Sequence, residues 1–444
     1  MSEQSRAKSD NIQVHKPNLL RRFLKGEEND HPAKMLERKT PKILMIAGDS
    51  QAVNADSRAD EAVLTEDIFR LWRKQGVDAW YLAISPDDDG QGRSAIEACS
   101  ARERVFVFHG GEFDDFSLSC RNTALLYQNL ARFLVEIQPE VVHFHQVHGI
   151  GVEALKLVRR VLPGVRIVYT VYDEELLAAA TSSDVNNVLR MHYIQTHLDV
   201  VDHFVAGNKR LADLCIRWGI AAEHISVIEN GSAEISALPP RRREGRSAKK
   251  RNYFSCIGPL IPDLGVDTLL DAVDYLLKEN YTQFRVDIYS YAQGPSSRWY
   301  GFEQEIKQRI LDNKHYLTYT PLSLGVNMRS ALERADWLVS PVKTSGVVPL
   351  GAYEALQARR PIICSAASAV EDLVVPGVNG LSFVMRDHKE LAEIMYSACE
   401  QQAVWDRLRQ KMKSGAFTQL QTAERYRMLY ERMGASNHNG AASV

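Results

Sequence analysis

The chain has 444 residues, 45% of them hydrophobic and 25% charged, with a formal net charge of −2. That length suits two or three domains, each able to bury its own core, and the near-neutral balance excludes a global electrostatic address to nucleic acid or an acidic membrane. The six cysteines form no CxxC pair, which excludes a zinc ribbon and a thioredoxin motif.

Cys256 and Cys364 sit in apolar runs and read as buried reduced thiols, for which the cytoplasm is the natural compartment. No apolar run reaches the roughly 18–20 residues of a membrane span. Residues 1–40 read as a polar, mobile tail without a signal-peptide core. Within it, Leu19-Leu20-Arg21-Arg22-Phe23-Leu24-Lys25 is a basic–apolar patch suited to peripheral contact with the inner face of a membrane or with a partner; a solvated tail is the alternative.

Ordered structure is expected from Lys42, where KILMIAG reads as a buried parallel strand. Asp60–Gln75 has helical spacing closed by Gly76, and AWYLAI and VFVFHG read as strands. A helix is predicted over Asn122–Ile137, then a strand VVHFH from Val141 and a helix over Val152–Val161. RIVYTVYD from Arg166 reads as a strand, Val185–Leu198 as a helix, DHFVAGN from Asp202 as a strand and Lys209–Trp218 as a helix, with Ile225–Ile228 closing the half. Leu238–Arg251, LPPRRREGRSAKKR, breaks the pattern and reads as a basic linker; steering of an anionic donor or lipid-linked acceptor is a second use for its charge.

The alternation restarts at Tyr253 with the strand YFSCIG and a helix over Val266–Lys278. Strand RVDIYSYA, helix Glu303–Leu311, strand YLTYT, helix Val326–Arg334 and strand DWLVSPV follow. Helix Pro349–Ala358, strand PIICS, a short helix Ala369–Val374 and terminal helices His388–Gln402 and Ala423–Met433 complete the chain. Strands alternating with helices predict doubly wound α/β layers, whose ligands bind beyond the carboxyl ends of the strands. The expected domains are 41–237 and 252–415, joined by the linker 238–251 and followed by a crossover helix and tail, 416–444.

Several segments in order resemble the retaining GT-B glycosyltransferases of family 4, across roughly Pro41–Met433. VVHFHQVHGIGVEAL and RIVYTVYDEE resemble the acceptor-side half, and ISVIENG resembles the crossover between halves. TSGVVPLGAYEALQARRPIICSAASAVEDLVVPGVNGLSF, from Thr344, resembles the nucleotide-sugar half. The resemblance implies two Rossmann-like domains facing a cleft, a nucleotide-sugar donor, a glycan or lipid-linked acceptor, and neither metal nor cofactor. It sets His148 near the transferred sugar, with a turn-capping histidine as the alternative. His143 and His145 alternate on one strand face and are expected to be structural. Tyr172 stands where the family has a histidine. Trp405 and the Arg425–Tyr430 helix resemble the terminal crossover element.

The donor side departs from the family. In IGPLIPDLGV the glycines Gly258 and Gly265 match, but Pro259 stands at the arginine position and Leu264 at the lysine position that neutralise the departing diphosphate. Of two glutamates expected eight positions apart, the second is Glu354, which would hold the ribose hydroxyls; Gly346 occupies the first. Gly258, Gly346, Val347 and Glu354 are therefore the expected donor-binding residues. Lys343, ahead of a glycine-bearing turn at a helix N-terminus, is expected to take over phosphate neutralisation; an ordinary cap with a solvent-facing lysine is the other reading. Two functions follow: a hexosyltransferase of polysaccharide or glycoconjugate assembly, or a catalytically weakened GT-B partner or carbohydrate-binding module.

Overall fold

The computed structural model describes residues 40–47, 60–86, 95–98, 100–108, 123–145, 147, 150–172, 185–232, 238, 252–291, 299–322, 328–344, 346, 348–412 and 418–440. The N-terminal basic–apolar patch, most of the basic linker, His148 and Val347 lie outside the described residues.

The first half is one eight-stranded sheet. Its strands are β1 (Ile43–Ala47), β2 (Ala79–Pro86), β3 (Ala95–Ala98), β4 (Glu103–Phe108), β5 (Val141–Phe144), β6 (Arg166–Val171), β7 (His203–Ala206) and β8 (Ile225–Val227), in spatial order β3-β4-β2-β1-β5-β6-β7-β8. All pairings are parallel except β3 with β4. The helices are α1 (Asp60–Lys74), α2 (Thr123–Ile137), α3 (Glu153–Val161), α4 (Val185–Leu198) and α5 (Lys209–Arg217). Strand β1 shows why the segment KILMIAG is apolar throughout. Leu44 and Ile46 enter a core with α2–α5, while Ile43, Met45 and Ala47 enter a second core on the opposite face.

The second half is a six-stranded parallel sheet, order β11-β10-β9-β12-β13-β14. It comprises β9 (Asn252–Ile257), β10 (Phe284–Tyr291), β11 (Leu317–Leu322), β12 (Trp337–Ser340), β13 (Ile362–Ser365) and β14 (Gly380–Phe383), with helices α6 (Val266–Lys278), α7 (Tyr300–Asp312), α8 (Met328–Arg334), α9 (Leu350–Gln357), α10 (His388–Glu400) and α11 (Gln402–Lys411). The last helix, α12 (Gln419–Gly440), belongs with the first half. It packs on α1, where Trp72 Nε1 donates to the Ala423 carbonyl at 3.2 Å and the Trp72 and Tyr430 rings lie 5.8 Å apart.

Four expectations change. Strand β3 was not predicted, because AIEA is too short and too weakly patterned to announce a strand. Helix α11 was not predicted, because QAVWDRLRQK is mostly polar; its Trp405 and Leu408 nevertheless reach the second core. Trp405 thereby separates from the crossover element: its Nε1 donates to the Asp336 carbonyl at 2.6 Å in the second half. The terminal helix is also longer than its apolar pattern, Ala423–Met433, suggested.

Candidate active site

Both sheets reverse their strand order at one point, between β1 and β5 in the first and between β9 and β12 in the second. Ligands of open α/β sheets bind beyond the strand ends at such points. In the second half this brings together Gly258, which follows β9, and the turn after β12 that carries Lys343 and Gly346.

Gly258 has φ +148, and a Cβ there would lie 2.9 Å from Leu264 Cδ1. Leu264 is buried with Ile257 and Val342 in one core cluster. Leu264 is thus a packing element folded over Gly258. Pro259 and Leu264 line a shallow apolar depression with Pro341 and Pro349.

Lys343 is held twice. Its backbone N–H donates to the Asp263 carbonyl at 2.7 Å, and its ammonium lies 2.5 Å from Asp267 Oδ2 in the first turn of α6. Its side chain is only 17% exposed. A solvent-facing lysine does not describe this pair, and an anion arriving at Lys343 competes with a carboxylate already in place. Beside it, Thr344 Oγ1 is buried without a hydrogen-bond partner among the described residues. Glu354 lies half-buried in α9, one turn past the start of the helix, with Oε2 buried.

The first half reaches this region through the turn between β7 and α5. Asn208 caps α5 by accepting from the Leu211 N–H at 2.9 Å, and its Nδ2 donates to the Gly346 carbonyl at 3.1 Å. Arg210 donates to Glu371 Oε2 at 3.2 Å and to Asp372 Oδ1 at 3.1 Å. These are half-exposed ion pairs, worth a few tenths of a kcal/mol each to about 1. Sequence reading missed both residues as cleft contacts. The pattern Asn-Lys-Arg-Leu before a helix signals a cap, but nothing local signals a partner 138 residues away. Replacing Asn208 separates the two bonds. Asn208→Ala is expected to cost about 2 kcal/mol, the sum of a lost cap and a lost buried hydrogen bond. Asn208→Ser keeps a cap but cannot reach Gly346, and should cost about half as much; equal losses in urea titrations would show that only the bond to Gly346 matters, and no loss for Asn208→Ser that only the cap does.

Asn379 is structural, as its turn suggested: Oδ1 accepts from Val375 N–H at 2.6 Å and Nδ2 donates to the Leu373 carbonyl at 2.9 Å.

At the first sheet's reversal point, His143 and His145 are fully buried with their rings 3.9 Å apart. His143 bonds Tyr430 Oη at 2.5 Å and Thr170 Oγ1 at 2.7 Å; His145 Nδ1 bonds Tyr172 Oη at 3.0 Å. Burial, reinforced by His145 and His203, pushes the His143 pKa well below the usual range, and burial alone lowers that of His145 to about 3. Both rings are neutral at neutral pH. They are joined by Tyr172 and Tyr430, so Tyr172 serves this cluster.

Two family profiles match the chain in succession: Glycosyltransferase Family 4 over residues 62–232 and Glycosyl transferases group 1 over residues 251–401. It carries both halves of a family 4 glycosyltransferase. Solved structures share the GT-B fold of this glycosyltransferase. Sucrose-phosphate synthase from Thermosynechococcus elongatus is 13% identical, with TM-score 0.70 over 89% of this chain and 100% of its own. HepE from Anabaena, in complex with UDP and glucose, is 16% identical, with TM-score 0.60 over 91% and 100%. The catalytic domain of starch synthase IV from Arabidopsis thaliana, bound to ADP and acarbose, is 13% identical, with TM-score 0.62 over 88% and 99%. No curated protein matches the sequence of this glycosyltransferase. Among its described residues no helix is long and apolar enough to cross a membrane, and no cluster of side chains could hold a metal ion.

Proposed function

We propose that this glycosyltransferase moves a hexosyl group from a nucleotide sugar to a glycan or lipid-linked acceptor with retention, in polysaccharide or glycoconjugate assembly at the cytoplasmic face of a membrane. The observation that carries the reading is the succession of the two family profiles over two sheets, the second of which has Gly258 and Gly346 in the turns at its reversal point and Glu354 in the helix that follows. In the transfer, the bond from the sugar's anomeric carbon to the diphosphate breaks, the acceptor oxygen bonds that carbon on the same face, and the acceptor proton passes to the departing diphosphate. Glu354 would accept from the ribose hydroxyls. The turn containing Gly346 and Val347, with Lys343 beside it, would face the diphosphate, and His148 the transferred sugar.

Catalysis of this kind rests on stabilising charge on the leaving group. Here the charge would be met by backbone N–H groups and by a lysine shared with Asp267, a weaker arrangement than two free cations. That observation, with Leu264 filling the lysine position, favours a second reading: a weakened GT-B module that binds a carbohydrate or a partner. Calorimetric titration with UDP-, GDP- and ADP-sugars separates them. Saturable binding of one donor, with turnover, supports transfer; no binding across the panel supports the module. Lys343→Ala is expected to weaken donor binding about tenfold or more, the value of one charge-assisted contact. Unchanged affinity would remove Lys343 from the site.

A further inference from the structure

The two halves are joined at either end of α9, by contacts of opposite kinds. At its carboxyl end the joint is buried. Gln357 Nε2 donates to Ser232 Oγ at 2.9 Å, and the Ser232 carbonyl accepts from the Gln419 N–H at 3.0 Å. Ser232 and Gln357 are both buried. The chain leaving the first half passes the returning chain there without slack: a Cβ on Gly231 would lie 2.3 Å from the Thr418 carbonyl carbon and oxygen. Backbone packed that closely cannot slide without unpacking its neighbours.

Before the amino end of α9 the joint is half-exposed. The start of α5 reaches two turns of the second sheet, the one after β12 through Asn208 and the one after β13 through Arg210. Arg210 Nη2 donates to Glu371 Oε2 at 3.2 Å, Nε to Asp372 Oδ1 at 3.1 Å and Nη1 to the Ala367 carbonyl at 3.5 Å. Glu371 Oε2 also accepts from the Ala367 N–H at 2.7 Å. Ala367 has φ +60, so this turn is held in a conformation that its own residue disfavours. Arg210, Glu371 and Asp372 are each about one-third exposed, and pairs so exposed are weak and screened by salt. The buried bonds at Ser232 are not. Between the two joints lies α9, eight residues and roughly 12 Å long. A firm joint at one end and a weak, ionic one at the other make a hinge with a catch.

We propose that Arg210 is an ionic clasp across the cleft. With Asn208 it is a positioning residue: it fixes the turns after β12 and β13 against the first half, and its release opens the cleft about the crossover at Ser232. The clasp stands whether or not the cleft transfers sugar. Amide hydrogen exchange of the full chain, followed by mass spectrometry, tests it from both sides. Arg210→Gln should speed exchange in residues 366–373 of the second half about fivefold, the upper value of one such ion pair. Asp372→Asn should speed exchange on the other side of the cleft, in residues 207–213, and decides the matter if Arg210→Gln fails to fold. Raising salt to about 1 M, where the screening length is roughly 3 Å, should speed both segments in the native chain and leave Arg210→Gln unchanged. Arg309→Gln, which removes ion pairs to Asp271 and Asp274 within the second half, should leave both segments as they are. The proposal is overturned if neither variant speeds exchange across the cleft, if salt speeds Arg210→Gln as much as the native chain, or if Arg309→Gln has the same effect.

Discussion

Acidification below pH 6.5 is expected to destabilise the first half steeply, through His143 and His145. An unfolded histidine takes up its proton near pH 6.5. In the fold, burial holds His145 neutral down to about pH 3, and holds His143 neutral well below its usual range. Below pH 6.5 the unfolded chain therefore binds protons that the folded chain refuses. The stabilisation is fully present above that pH and is lost as pH falls, for His145 until about pH 3. Each ring contributes a slope approaching about 1.4 kcal/mol per pH unit. Two rings over two units approach about 5 kcal/mol, comparable to the whole stability of many domains. Urea titrations of the native chain and of His145→Gln between pH 7 and pH 4.5 measure this. The variant should lose about 1.4 kcal/mol per unit of the slope and keep the part carried by His143 and by His203, whose pKa is lowered to about 4, chiefly by burial. Parallel slopes would refute the assignment.

The position of this cluster gives the acid response a structural consequence. Tyr430 and Tyr426 lie on α12, which reaches the first half only after the chain has built the second. Tyr430 bonds His143, and Tyr426 stands 5.3 Å from the His143 ring and 5.7 Å from that of His145. Among the described residues, a charged imidazole there finds no carboxylate partner: its neighbours are hydroxyls, tyrosine rings and the other histidine, with His203 adding further repulsion at His143. Protonation is therefore relieved most directly by separating α12 from the sheet. The cluster is a structural weld between the chain's last helix and its first sheet.

How much of this was legible in the sequence depends on range. Strand β1 is announced by a continuous apolar run, because a strand buried on both faces carries no polar side. The resemblance placed the two halves in order. Pro259 and Leu264 were read as absent charges, and the coordinates add what fills their place: Leu264 is a core residue closing over Gly258. The pairing of Lys343 with Asp267 was not legible. The two stand 76 residues apart, on a turn and a helix brought together only by the strand order β9-β12. The same holds for Asn208 and Gly346. An asparagine ahead of a helix fits a cap, but no local pattern carries the second bond.

Gly265 is the position where one methyl group is expected to do most damage. In the sequence it only matches the resembled pattern in register. The structure sets two demands on it at once. Its φ is +70, a left-handed conformation that costs an L-residue roughly 1–2 kcal/mol. A Cβ there would also lie 1.9 Å from the Pro341 carbonyl oxygen and 2.8 Å from its carbon. The obstacle is backbone, at the carboxyl end of β12, and cannot rotate away. Relief would push the chain after β12 off the 3-10 turn Pro262–Leu264 and strain the Lys343 N–H bond to Asp263. Gly265→Ala should therefore cost about 4 kcal/mol or more, the range reserved for severe core lesions. Gly76→Ala provides the control: its φ is +79, but a Cβ there meets nothing within 4 Å. It should cost only the conformational term, about 1–2 kcal/mol. Thermal and urea melts of the two variants measure the difference. Equal losses would mean that the approach of Pro341 is soft. A large excess for Gly265 would show that the turns after β9 and β12 are locked together by contact, with Lys343 set beside Asp267 by that lock.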